Sequence, residues 1–210
     1  MTQYDDPFRL SLLRYFDQPK ERTVSDTGEW TVKGFIDVYQ RIYTISLDTK
    51  VLSKVLELLL FPVLQQFALE NRYQIMLARQ QNQYPDVSFV SDTSDYYALD
   101  IKTTYRTGVD RAGNLKVNGM TLGTFGGCFR DRNRATLSTF PYSRYLKHYV
   151  LGVVYSQNTQ IDEQRTYSID DLKTIPSVAH DFEFFLHEKY RIASDRAGSG
   201  NTRNIGSTVY

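Results

Sequence analysis

QQNQYPDVSFVSDTSDYYALDIKTTY, residues 80–105, is the stretch whose reading decides the fold. Two short runs of strand character, 87–90 and 96–101, flank Ser91-Asp92-Thr93-Ser94-Asp95, a string of small polar turn formers that predicts a hairpin loop. A hairpin symmetric about Thr93 sets Asp86 opposite Asp100, Val87 opposite Leu99, Ser88 opposite Ala98 and Phe89 opposite Tyr97. Side chains alternate along a strand, so Asp86, Ser88, Ala98, Asp100 and Lys102 share one face. Val87, Phe89, Tyr97, Leu99 and Ile101 form the other, an apolar face suited to a core. Directly opposed residues hold their Cβ atoms about 4.5–5.5 Å apart. Two carboxylates at that spacing can each lend an oxygen to one hard cation, whose adjacent octahedral ligands lie roughly 3 Å from each other. Without a cation they repel, and one tends to hold a proton. The sharp reading is a Mg2+ site with a lysine beside it. The plain alternative is a solvated face carrying ordinary charges, because short acidic motifs recur by chance.

Upstream of the hairpin, residues 30–37 and 41–45 are rich in Val, Ile, Tyr and Trp and predict two strands joined by a short turn. Asp48 can cap a helix in which Val51, Leu52, Val55, Leu56, Leu59 and Leu60 recur at helical spacing. Pro62 predicts a break or kink, with a second helical piece to about Asn71. Glu57 falls opposite the apolar stripe, near Lys50 and Ser53, so periodicity makes it a solvated surface charge. Residues 1–28 are polar around an amphipathic piece, 8–16, which predicts a peripheral segment.

Downstream, 106–118 reads as a polar loop with glycines. Arg130, Arg132 and Arg134 stand at alternate positions, a pattern that can track phosphates or simply line a solvated loop. Residues 142–148 predict a helix leading into a buried strand, 149–155, with His148 as a packing or surface residue. A polar connector, 157–180, with a short helix from about Ser168 precedes strand-like pieces at 182–186 and 190–193. These deliver the chain to 197–207, nearly all Gly, Ser, Thr and Asn. Glycines permit close backbone approach and Asn can bond adenine bidentately, but composition alone favours a flexible tail.

The chain of 210 residues is most simply one domain, and 41% hydrophobic content is ordinary for a globular protein. No apolar run approaches a membrane span and no secretory leader is visible. One cysteine, Cys128, excludes an internal disulfide and fits a reducing cytoplasm, and three histidines make a structural zinc site improbable. A net charge of +1 argues weakly against a polyanionic partner, although basic residues cluster locally. No internal repeat is visible.

Five blocks, SLDTKVLSKVLE (46–57), QQNQYPD (80–86), LDIKTTY (99–105), TLG (121–123) and AGSGNTRNIGS (197–207), together resemble the EcoRV-like type II restriction endonucleases of the PD-(D/E)xK nuclease superfamily. The resemblance runs from about Trp30 to Ser207 and leaves the first 28 residues uncovered. It implies an α/β fold, with a mixed central sheet flanked by helices in a nuclease domain at 29–210. It implies metal binding by Asp86 and Asp100, with Glu57 as an auxiliary acid and Lys102 as the catalytic lysine, against the surface reading of Glu57. It further implies a major-groove recognition loop containing Gly198, Ser199, Gly200, Asn201 and Thr202, and a second DNA-facing loop of Gln80, Gln81 and Asn82. Thr103, Thr104, Arg130, Arg132 and Arg134 fall where relatives approach the DNA. The implied activity is Mg2+-dependent cleavage of double-stranded DNA by a homodimer at a palindrome. The similar loop suggests GATATC, cut bluntly with 5′-phosphate ends, in a host carrying the cognate DNA methyltransferase. Arg203 departs from the threonine of the family pattern, which puts flanking preference in question. Relatives continue past this loop with a helical region that helps hold DNA, whereas this chain stops at Tyr210. The alternatives are therefore a DNA-binding protein on the same fold with impaired cleavage, and a repair or recombination nuclease that cuts without a fixed site.

Overall fold

The computed structural model describes residues 6–16, 23–80, 83–124, 133, 138–162, 165–197 and 204–208. Helix α1 (Pro7–Phe16) is followed by strands β1 (Gly34–Ile36) and β2 (Arg41–Thr44), then by the long helix α2 (Thr49–Glu70). Strands β3 (Tyr73–Leu77), β4 (Val87–Ser91), β5 (Tyr96–Val109), β6 (Leu115–Val117) and β7 (Thr121–Thr124) follow. The chain continues through β8 (Tyr145–Gln157), β9 (Thr166–Ser168), β10 (Ala179–Glu188), β11 (Ala193–Ala197) and β12 (Asn204–Ser207). The central sheet has the order β10-β8-β5-β4-β3, with β6 added to the far end of β5. Only β5 and β8 pair in parallel, so the sheet is mixed, as expected. Two small sheets, β1-β2-β9 and β11-β12-β7, complete the architecture.

The decisive hairpin forms in the expected register, with Val87 opposite Leu99, Ser88 opposite Ala98 and Phe89 opposite Tyr97. Its apolar face does enter the core: Val87, Phe89, Leu99 and Ile101 pack with α1 and α2. Its other face is covered as well. Ser88, Ala98 and Asp100 are fully buried, Ser88 bonding the Tyr145 hydroxyl at 2.7 Å, so the solvated-face alternative does not describe this hairpin.

Several expectations are corrected. Pro62 does not break the helix; α2 runs through it for 22 residues. The carbonyl that loses its partner is that of Leu58, which is exposed, so water can take the bond. Among the described residues α2 alone is long and apolar enough to cross a membrane. Instead Leu52, Leu56, Leu60, Leu64 and Phe67 bury its apolar stripe against the sheet. Residues 106–118 are not a loop, because β5 extends to Val109 and pairs with β6 around a turn closed by Asp110. Residues 142–148 are not helical beyond a short 3-10 turn at Tyr142–Arg144, and His148 lies within β8. Tyr145 and His148 are buried three positions apart with Leu146 exposed between them, a spacing that a helix face also gives. The piece at 190–193 divides between a 3-10 turn, Lys189–Arg191, and the start of β11. Helix α1 is not peripheral: Phe8, Leu12 and Phe16 belong to the main core.

One close approach in the sheet is testable. Gly152 of β8 lies opposite Phe185 of β10, and a Cβ added there would sit 1.9 Å from the Phe185 ring. Gly152→Ala is expected to cost about 1–3 kcal/mol by overpacking, measured as a lowered urea midpoint. An unchanged midpoint would mean that the ring swings aside freely.

Candidate active site

Asp86 sits one residue before β4, where the ladder between β4 and β5 ends. The backbone donors left over at that end are taken by side chains, as buried donors must be. Ile101 N donates to Asp86 Oδ2 at 2.8 Å, and Asp86 N donates to Asp100 Oδ1 at 3.4 Å. These two bonds, one from Ile101 N and one from Asp86 N, hold the two acids side by side at the mouth of the hairpin. Lys102, on the same face as Asp100, places Nζ 3.4 Å from Asp86 Oδ2 and 3.3 Å from the Ile101 carbonyl.

The acids differ in their surroundings. Asp86 keeps 39% of its side chain exposed, whereas Asp100 keeps 1%. Burial and the neighbouring Asp100 push the Asp86 carboxyl above the usual carboxylate range, against the pull of Lys102. Burial alone would raise Asp100 too, but Lys189, Lys102 and His148 outweigh it and hold its carboxyl well below that range. Lys102 is lowered by burial and raised more strongly by Asp100 and Asp86, so it is a firm cation. The pair therefore carries uneven proton affinity, because burial and Asp100 raise Asp86 while Lys189 holds Asp100 down.

Sequence reasoning missed Lys189 and underrated His148. Lys189 is buried, and its Nζ donates to Asp100 Oδ2 at 2.5 Å and to the Tyr84 hydroxyl. His148 Nε2 stands 3.3 Å from the same Oδ2 without an aligned hydrogen bond, while its Nδ1 is bonded to the Tyr142 hydroxyl at 3.0 Å. Burial and Lys189 depress the imidazole to about 4, so it is neutral at pH 7. The surface-like composition of residues 187–191, HEKYR, gives no signal for Lys189.

Glu57 lies on α2, paired with Lys54 at 2.7 Å and one-third exposed, rather than freely solvated. It faces a cleft of about 820 Å3 that also reaches Ser53, Gln80, Gln83 and Asp86. Glu57 and Gln80 thus open onto the same space as the outer aspartate. Thr103 is tied to α2 through a short bond between its hydroxyl and that of Ser53. Thr104 is buried, and its hydroxyl donates its one proton to the Asn118 carbonyl at 2.5 Å. Gln81, Asn82, Arg130, Arg132, Arg134, Gly198, Ser199, Gly200, Asn201 and Thr202 lie outside the described residues.

Among the described residues no group of three or more His, Cys, Asp and Glu side chains converges. Mg2+ does not require one, since it keeps several waters and is commonly bound by one or two carboxylates plus substrate phosphates. Hard oxygens from two adjacent carboxylates, one of them partly exposed, fit such an ion.

The sequence model of the EcoRV restriction endonuclease family matches residues 26–210. The chain belongs to the EcoRV family. It is similar to the type II restriction enzyme EcoRV of Escherichia coli, 36% identical over 185 residues that span 87% of this chain and 73% of that relative. The EcoRV family membership makes this chain a site-specific deoxyribonuclease on a restriction-endonuclease fold, a hydrolase of a restriction system. The matched range begins after α1, so the core contribution of Phe8 lies outside it.

Asp86→Asn separates chemistry from stability. Folding raises the Asp86 pKa, so the ionised form is disfavoured in the native state at neutral pH. The substitution should leave the urea midpoint unchanged or higher while removing metal-dependent cleavage. A clear loss of stability would contradict the strained-carboxylate description.

Proposed function

We propose that this type II restriction endonuclease cuts double-stranded DNA at a palindromic site in a Mg2+-dependent reaction, with Asp86 and Asp100 as metal ligands. The carrying observation is that backbone bonds bring the two carboxylates together at the hairpin mouth, Asp86 N donating to Asp100 Oδ1 and Ile101 N to Asp86 Oδ2, with Lys102 Nζ beside Asp86. The cation, when bound, supplies Lewis acidity at the scissile phosphate and acidifies water in that place. Lys102, a firm ammonium, stabilises the charge that builds on the phosphate and orients the attacking water. Glu57, across the cleft from Asp86, adds negative charge on the cation side.

The site proposed is GATATC, cut bluntly to 5′-phosphate ends, read by Asn201, Thr202 and the glycines of 198–203 in the major groove and by Gln80, Gln81 and Asn82 from the other side. Arg130, Arg132 and Arg134 are proposed phosphate contacts. A homodimer suits a palindrome, because each copy reads one half-site. The β1–β2 hairpin supports this, exposing Val38 at 90% and Tyr39 at 75% beside Phe35 and Ile36. We place the activity in the cytoplasm, with double-stranded DNA as partner and a cognate methyltransferase protecting the host. Digestion of random-sequence DNA with Mg2+, followed by end mapping, tests the reading. Blunt ends at GATATC alone are expected. Ends without a common sequence would favour a repair-type nuclease, and binding in Ca2+ without any nicking in Mg2+ would favour a non-cutting DNA-binding protein.

A further inference from the structure

We propose that Lys189 is a positioning residue for Asp100: its buried ammonium holds Oδ2, so that Oδ1 is the oxygen turned towards Asp86 and the cation. The inference rests on the reading of Asp100 as a metal ligand. Lys189 Nζ meets Asp100 Oδ2 at 2.5 Å, bonds the Tyr84 hydroxyl and lies 4.0 Å from the centre of the Tyr84 ring. Asp100 Oδ1 is the oxygen that accepts from Asp86 N, so the two oxygens have separate partners. A side chain that can swivel is fixed by two bonds pulling on opposite oxygens.

The ammonium is packed closely by groups other than Asp100 as well. Gly123 of β7 has φ +119°, and a Cβ at that position would come within 3.4 Å of Lys189 Nζ and of the Tyr84 ring. Lysine and aspartate at 1% exposure each are costly to bury and survive only when paired. The pairing spans 89 positions in the chain, from the turn after β10 to the middle of β5. A residue whose only task was to fill space would not need a charge in this place.

Removing a positive charge beside a cation site could in principle tighten metal binding. The opposite is expected here. A carboxylate that loses the ammonium on Oδ2 is free to rotate, and rotation works against ligation through Oδ1. Partners of metal ligands typically contribute about 10–100-fold in affinity.

The test is Mn2+ titrated into the DNA-free full chain, followed by water-proton relaxation, for the parent, Lys189→Met and Asp100→Asn. Lys189→Met is expected to weaken Mn2+ binding by about 10–100-fold while the thermal transition remains cooperative. Unchanged or tighter binding overturns the inference. Should Lys189→Met fail to fold, Lys189→Gln takes its place, keeping a neutral donor near Oδ2. Binding weaker than the parent then supports the inference, and parental binding overturns it. Asp100→Asn separates the two levels: if it binds Mn2+ as the parent does, the metal-site reading itself falls. If it loses binding while the Lys189 variants keep it, only the role of Lys189 falls.

Discussion

Asp100→Asn is expected to lower DNA cleavage by about a thousandfold and to destabilise the fold by about 3–5 kcal/mol. The two losses have one origin. The Asp100 carboxylate is the counter-charge of a buried ammonium, Lys189, and it is also the inner ligand of the proposed cation site. Asparagine keeps the shape and removes the charge, which strands Lys189 in surroundings where burial already depresses it to about 8 even with Asp100 present. For a domain of this size the melting temperature should fall by roughly 10 °C. The pH profile carries the same signature. The folded pKa of Asp100 is depressed, so its stabilisation is complete above the unfolded value near ~3.9 and is lost as pH falls through the lower, folded value. The acid limb of stability should therefore be shallower in Asp100→Asn than in the parent. Calorimetry across pH, beside plasmid cleavage, reads both effects. A variant that cuts normally would remove Asp100 from the chemistry, and one with parental stability would remove the Lys189 pairing from the energetics.

Phe8→Ala should be nearly as damaging to the fold without touching the site. Phe8 stacks on Tyr97 at 4.1 Å and meets Phe67, Tyr73, Phe89 and Tyr149 edge-on or stacked within 5.6 Å. Its ring lies at the junction of α2 and the inner face of β3, β4, β5 and β8. Truncation leaves a cavity the sheet cannot close, at about 3–5 kcal/mol. Asp6 reinforces the docking by accepting from Arg9 N at 2.7 Å and from the Tyr149 hydroxyl. Urea unfolding at neutral pH measures the loss. A cost below about 1 kcal/mol would return α1 to the periphery where its composition places it.

What could be read from the residues follows the physics of each signal. The hairpin was legible down to its register because a polar five-residue turn and strict alternation fix which side chains meet. Strand β8 was half legible: residues 149–155 read as a strand, but the approach through His148 read as helix, since Tyr145 and His148 are buried three positions apart with Leu146 exposed between them, a spacing that a helix face also gives. Pro62 did not end the helix, because Leu58, whose carbonyl loses its partner, is an exposed residue and water can take the bond. Within the site, Asp86, Asp100 and Lys102 came from the motif, and Glu57 from family likeness. Lys189 came from neither, because burial of a lysine in a charged pentapeptide depends on a partner 89 positions away. Thr104 shows the converse, a polar residue inside a matching block whose hydroxyl donates to the Asn118 carbonyl.

The most direct test of the central claim is a crystal grown with Mn2+, examined at the manganese absorption edge. The account predicts an anomalous peak between the two aspartates, at roughly 2.1 Å from one oxygen of Asp86 and from Oδ1 of Asp100, with Lys189 still on Oδ2. A peak bound elsewhere, or full Mn2+ binding with neither aspartate touching the ion, would contradict it.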